Sequence, residues 1–342
     1  MQTLRKIYED LISDTIRWSY YCGQPYLCCN TISNNEESYE FIKKYFACGG
    51  KETLFDDTYL NENSEIIKMR APHIISTYLL GIIIAESFNL ELNGSDYNST
   101  NKYLWFLACL YHDIGYIYEE KHCCEYLRML QANGLDAIQE ICNIKYLHNY
   151  EFKTYSKENV NLYLSCRAQC SKGRLGKIDH GIAGGLLLYD RLRKNFEVAW
   201  RKARKSDPTI SKSYFTYNGL CFSNKHYGDY AKAADAIISH NIWLNTLNRY
   251  LLQSNKMPQK GPAITKENPI AFILAIADTV EPIKKFGIYS LDAVEYEKSE
   301  NNGFKFFVPD LYEDNYKYIM DLQDWVDVKV NRVGDGTFLI TN

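Results

Sequence analysis

Apolar positions recur at helical spacing through the chain up to about residue 282. Candidate helices run near 1–20, 36–47, 72–88, 101–113, 119–132, 151–165, 181–205, 229–240 and 268–280. Polar stretches separate them, notably 49–66 and 91–101. The apolar run Ile74–Ala85 contains Ser76, Thr77 and Tyr78 and is too short to span a bilayer, so it reads as a buried helix. Two segments break the helical pattern. "SYFTYNGLCFS", residues 213–223, alternates around Asn218-Gly219, a hairpin signal. Beyond Gly287, short strand-like runs flank the turns Asn302-Gly303 and Asp335-Gly336, with a helix-like segment at 311–325 between them. The expected fold is mainly α: a helical domain over 1–285 with an inserted β-hairpin, and a small α+β appendage over 286–342. The alternative is that the last strands pack onto the helical domain and form no separate unit.

Composition narrows the setting. The chain has 342 residues and a formal net charge of −3, so no global field draws it to nucleic acid or anionic lipid. "MQTLRKIYEDLISD" mixes both charge signs with helical spacing and lacks the apolar centre of a signal peptide. The eleven cysteines show no C-x-x-C spacing, and read as reduced thiols in a cytoplasm, with Cys109 in the core. Cys166 and Cys170 could share a helix face, but a zinc site there lacks its other ligands. The stretch 191–205 sets Arg191, Arg193, Lys194, Arg201, Lys202, Arg204 and Lys205 against Glu197 alone. Such a helix could track a phosphate backbone, yet no base-reading motif accompanies it, and a solvated face explains it better.

The histidines change the picture. Of seven, four occupy apolar or glycine-rich sequence: His73 opens "HIISTYLLGIIIA", His112 ends "YLWFLACLYH", His180 lies in "KIDHGIAGG" and His240 ends "KAADAIISH". His122, His148 and His226 lie in mixed polar sequence and read as surface residues. In "IAFILAIADTVEP", Asp278 shares a helical face with Ala271, Leu274 and Ala275. Singly, each of these buried polar groups is explained by a hydrogen bond. Five helices each carrying a nitrogen or oxygen donor into apolar surroundings are explained together by a shared metal.

The order His73, His112-Asp113, His180, His240, Asp278, with the local words "HDIG", "DHGIAGG", "ISH" and "LAIADTVEP", resembles the HD superfamily of metal-dependent phosphohydrolases over about residues 65–285. The resemblance implies an HD-type helical bundle in which His73, His112, Asp113 and Asp278 are the core ligands. It implies that His180 and His240 are the additional ligands of a binuclear site, with Asp113 bridging both ions and His112 and Asp113 at the catalytic centre. Imidazole and carboxylate donors suit two divalent ions such as Fe, Mn, Co, Ni or Zn, with Mg a further candidate. On this reading His112 and Asp113 stand side by side to serve one metal pair, and Gly115 lets the chain turn away.

The implied reaction is hydrolysis of a nucleotide or another small phosphoester by metal-activated water. Di-iron oxygenases of the same superfamily, a nuclease and a non-catalytic nucleotide-binding module are the alternatives. "CSKGRLGKID" offers Lys172, Arg174 and Lys177 to substrate phosphates, and Lys284 and Lys285 follow Asp278. Tyr116 stands where many members of the superfamily have lysine, and is a further candidate for substrate contact. The hairpin around Asn218-Gly219, placed between the His180 and His240 helices, is expected near the mouth of the site. The expected partner is a small phosphorylated molecule, and no membrane.

Overall fold

The computed structural model describes the chain except residues 22–26, 49–50, 52–53, 55–63, 91–100, 120–123, 148–149, 170–176, 243–262 and 289. The described residues are mostly helical, with a small sheet near the C-terminus.

The N-terminal periodic stretch does not form one helix. Gln2–Thr3 make a short strand, β1, and Thr3 caps α1 (Leu4–Ser13) by accepting the Lys6 amide. Asp14 then adopts extended backbone, and its Oδ1 accepts the amides of Ile16 and Arg17, which starts α2 (Thr15–Tyr21). An aspartate with a local amide to bind competes with helix continuation and favours a new start. α3 spans Asn35–Cys48.

α4 (Ser64–Ser87) begins earlier than its apolar run and passes through Pro72. By length and composition its 65–87 portion could cross a membrane, but 78% of an 18-residue window within it is buried inside the protein. A helix apolar on all sides belongs in a core. It is joined by α5 (Asn101–Tyr111), and then by the one-turn α6 (Tyr116–Glu119). α7 (Cys124–Asn133), α8 (Leu135–Ile141) and α9 (Lys157–Gln169) lead to the long α10 (His180–Ser206). α11 (His226–Ser239), α12 (Pro269–Val280) and α13 (Pro282–Phe286) complete the helical part. Glycines set the closest approach: a Cβ on Gly185 of α10 would stand 2.5 Å from the Ala234 carbonyl oxygen of α11.

The hairpin forms as expected. β2 (Tyr214–Tyr217) pairs with β3 (Leu220–Ser223) around Asn218 and Gly219, whose φ angles of 49° and 75° suit a two-residue hairpin turn. Its position differs from expectation. Phe215 and Phe222 pack on Phe196, Ala199 and Ala203, in a small core of their own. Phe196 lies roughly 24 Å along α10 from His180 at about 1.5 Å per residue, so the hairpin braces the far end of that helix. Nor do the basic residues of α10 form one stripe. Arg193 is buried against the Tyr227 ring and Arg191 pairs with Asp190, while Arg201, Lys202, Arg204 and Lys205 are exposed.

β4 (Glu295–Ser299), β5 (Gly303–Phe307), α14 (Glu313–Met320), β6 (Lys329–Gly334) and β7 (Thr337–Thr341) follow. Every pairing in the sheet is antiparallel, in the order β1-β4-β5-β7-β6, so the strands of 286–342 take an edge strand from residues 2–3. The sheet packs on α4: Phe304 meets Phe88 edge-on, and the Tyr296 hydroxyl lies 2.6 Å from Ser87 Oγ. Each such aromatic pair adds about 0.5–1.5 kcal/mol beyond the area it buries. The core runs without a break from α4 into the sheet.

Candidate metal centre

Six side chains expected to meet do converge. His73 comes from the middle of α4, and His112 and Asp113 from the turn that ends α5. His180 is the first residue of α10, His240 the C-cap of α11, and Asp278 lies in the last turn of α12. All six are buried. His73 Nε2 lies 3.1 Å from Asp278 Oδ1, 3.3 Å from His112 Nε2 and 3.6 Å from Asp113 Oδ2. His112 Nε2 lies 3.3 Å from Asp113 Oδ1 and 3.5 Å from Asp278 Oδ1. The donor atoms of His73, His112 and Asp278 are all within 4.8 Å of one another, a buried group that could hold a metal ion. His180 Nε2 stands 3.8 Å from Asp113 Oδ1. The His240 ring centroid is 5.4 Å from that of His112 and 5.6 Å from that of His180.

Each imidazole is held by its outer nitrogen. His73 Nδ1 lies 2.7 Å from Glu281 Oε2, and His180 Nδ1 2.7 Å from Glu119 Oε2. His112 Nδ1 meets the Cys109 carbonyl at 2.6 Å, and His240 Nδ1 the Ile237 carbonyl. With Nδ1 engaged outward, Nε2 of all four rings is left for the centre, the arrangement by which metal-binding imidazoles are oriented. Among the described residues, His180 Nε2 and His240 Nε2 are buried with no hydrogen-bond partner. Buried polar nitrogens in that condition are costly unless something else binds them, and a metal ion fits that role.

A second buried network fixes the start of α10. Asp179 caps the helix through the Ile182 amide at 2.9 Å, and its other oxygen accepts from the Tyr163 hydroxyl and from Asn241 Nδ2. Arg167 lies 3.4 Å from Asp179 and 3.6 Å from Glu119, tying the cap to the residue that orients His180. Gly115 contributes by its size. A Cβ there would stand 1.9 Å from the His180 carbonyl oxygen, so glycine lets the turn after His112-Asp113 touch α10. Its φ is not in the left-handed region; the expected turning role is replaced by close packing.

The charges follow from burial and neighbours. Burial alone raises the Asp113 carboxyl, but Lys284, His112, Arg70 and His73 hold it well below the usual carboxylate range. Burial pushes His240 down to about 3 and His180 well below its ordinary value, which keeps both rings neutral and able to donate a lone pair. Burial also pushes the Cys109 thiol well above its ordinary value, with Asp278 and Asp113 adding to it, so a thiolate ligand is disfavoured.

The candidate substrate contacts fare differently. Lys284 is inside the centre, 3.0 and 3.1 Å from the two oxygens of Asp113. Tyr116 is buried between the Arg70 guanidinium, 3.1 Å from its ring centroid, and the His180 imidazole, stacked at 3.8 Å and 19°. It therefore packs against a candidate ligand. The Lys177 carbonyl accepts from Arg167 Nε, and Lys177 as a whole is half-buried. Arg174, Lys172, His122 and His148 lie outside the described residues. A cavity of about 360 Å³ adjoins the centre, lined by Ile66, Met69, Arg70, Pro72, His73, Ile283 and Lys284.

Sequence reasoning did not identify Glu119, Glu281 or Arg70. Glu281 carried one signal: it follows Asp278 by three positions, nearly one helical turn, in an otherwise apolar segment. No family model, curated protein or solved structure matches the chain.

Proposed function

We propose that this protein is a metal-dependent phosphohydrolase of the HD type, acting on a nucleotide or another small phosphoester. The observation that carries the reading is the inward aim of four imidazole Nε2 atoms and two aspartates at one buried point, each ring tied back through Nδ1. His73, His112 and Asp278 would hold one divalent ion, His180 and His240 a second, and Asp113 both. Such ions supply an activated water and a clamp on the phosphoryl oxygens. The donor set is all nitrogen and oxygen, which suits Fe, Mn, Co, Ni or Zn.

The chain's own residues perform the remaining tasks. Glu281 and Glu119 would hold Nδ1 of His73 and His180 outward, so that each ring presents Nε2 to the centre. Burial of His180 and His240 keeps protons from competing for those nitrogens. Arg70, which lines the adjoining cavity, supplies positive charge where an anionic substrate would approach.

The test is a phosphoester panel run with protein loaded in turn with Mn²⁺, Co²⁺, Fe²⁺ and Mg²⁺. Cleavage that requires metal, stops with chelator and is lost in Asp113→Ala is the expected result. Absence of cleavage with every metal contradicts the reading, and oxygen consumption by the iron-loaded protein would move it to the oxygenase class.

A further inference from the structure

Lys284 stands among the candidate metal ligands. Its ammonium lies 3.0 and 3.1 Å from the Asp113 oxygens, 3.4 Å from His73 Nε2 and 3.6 Å from Asp278 Oδ1. These partners reach it from three elements: the turn after α5, α4 and α12. Two buried carboxylates thereby face the same ammonium, with Arg70 also 3.4 Å from Asp113 Oδ2, in surroundings where an uncompensated carboxylate is costly.

We propose that Lys284 is a resident counter-cation of the centre, holding the ligand cage together in the metal-free protein and leaving it when a divalent ion binds among His73, Asp113 and Asp278, so that it lowers the metal affinity of that position. This inference rests on the metal-centre reading above.

Competition for the same donors is the first support. The atoms nearest the ammonium are those a metal would take. An ammonium hydrogen-bonds at about 3 Å, while metal–ligand distances are about 2.0–2.2 Å, and one lone pair cannot serve both. Like charges at such separations also repel strongly in a buried site. The second support is an exit. The cavity beside the centre has apolar walls from Ile66, Met69, Pro72 and Ile283, along which a lysine stem can lie while its head reaches water. The third is that the backbone need not move. The Lys284 amide donates to Glu281 Oε2 at 3.0 Å, the oxygen that also holds His73 Nδ1. Swinging the side chain out leaves this anchor in place, and Arg70, 3.4 Å from Asp113 Oδ2, stays beside the carboxylate.

The experiment is a Co²⁺ titration of chelator-treated protein, read by visible absorption, for wild type, Lys284→Met and Lys284→Arg. Lys284→Met keeps the length and removes the charge. It should bind the first Co²⁺ at least about tenfold tighter, about 1.4 kcal/mol. Its metal-free form should melt below wild type and recover on adding Co²⁺, and Lys284→Arg should bind no tighter than wild type. Unchanged or weaker Co²⁺ binding by folded Lys284→Met overturns the counter-cation role alone. Failure of both wild type and Lys284→Met to bind Co²⁺ overturns the metal centre and this role with it. If Lys284→Met does not fold without metal, Lys284→Gln is carried through the same titration under the same criteria.

Discussion

His73 Nδ1 and Glu281 Oε2 stand 2.7 Å apart across 208 positions of sequence, and the other oxygen of the same carboxylate accepts the Ile283 amide at 3.1 Å. One buried side chain thus orients the His73 ring and caps the helix that carries Lys284. Glu281→Gln keeps the volume and removes the charge. Metal affinity should fall about 10–100-fold, as for other residues that orient a ligand, with the far-ultraviolet circular dichroism unchanged. A metal titration giving the wild-type affinity would show that the carboxylate does not set the ring.

The candidate ligands were legible because polar side chains at the ends of apolar runs stand out. His112 and Asp113 close "YLWFLACLY", and Asp278 interrupts an apolar helix face. Glu119 was not, since a glutamate beside Glu120 and Lys121 looks like any solvated residue until the fold buries it, and Glu281, between Val280 and Pro282, had only its spacing from Asp278 as a signal. The helix expected over 72–88 in fact begins at Ser64 and holds Pro72 inside it, because the residues before 72, polar and apolar mixed, carry no clear apolar period to read. β1 is two residues long and pairs with Tyr296 and Glu295 from the far end of the chain. So short a strand has no period to read, and its pairing is set by tertiary packing.

Gly115 offers a test of how the two halves of the centre are joined. In Gly115→Ala the new methyl would meet backbone, the His180 carbonyl oxygen at 1.9 Å, so the start of α10 must shift. We expect a loss of about 1–3 kcal/mol in urea unfolding, the usual cost of overpacking. On the two-ion reading the metal content should fall from two ions to one, because His180, at the start of α10, would leave the proposed second position. Retention of both stability and metal would contradict the packing role assigned to this glycine.

The hairpin should matter for stability and not for catalysis. Phe215 is buried with Phe196 in a core remote from His180, so Phe215→Ala should cost about 3 kcal/mol in urea unfolding. Its kcat/KM for the substrate found in the panel should stay within about threefold, roughly 0.7 kcal/mol of transition-state stabilisation. A larger drop in a variant that remains folded would return the hairpin to the mouth of the site.

The central claim is that six side chains drawn from five parts of the chain form one two-metal centre with Asp113 common to both ions. Equilibrium dialysis against Mn²⁺ followed by metal analysis tests it most directly. Wild type should retain two ions per chain, and Asp113→Ala at most one. Retention of two ions by Asp113→Ala, or of none by wild type, would contradict it.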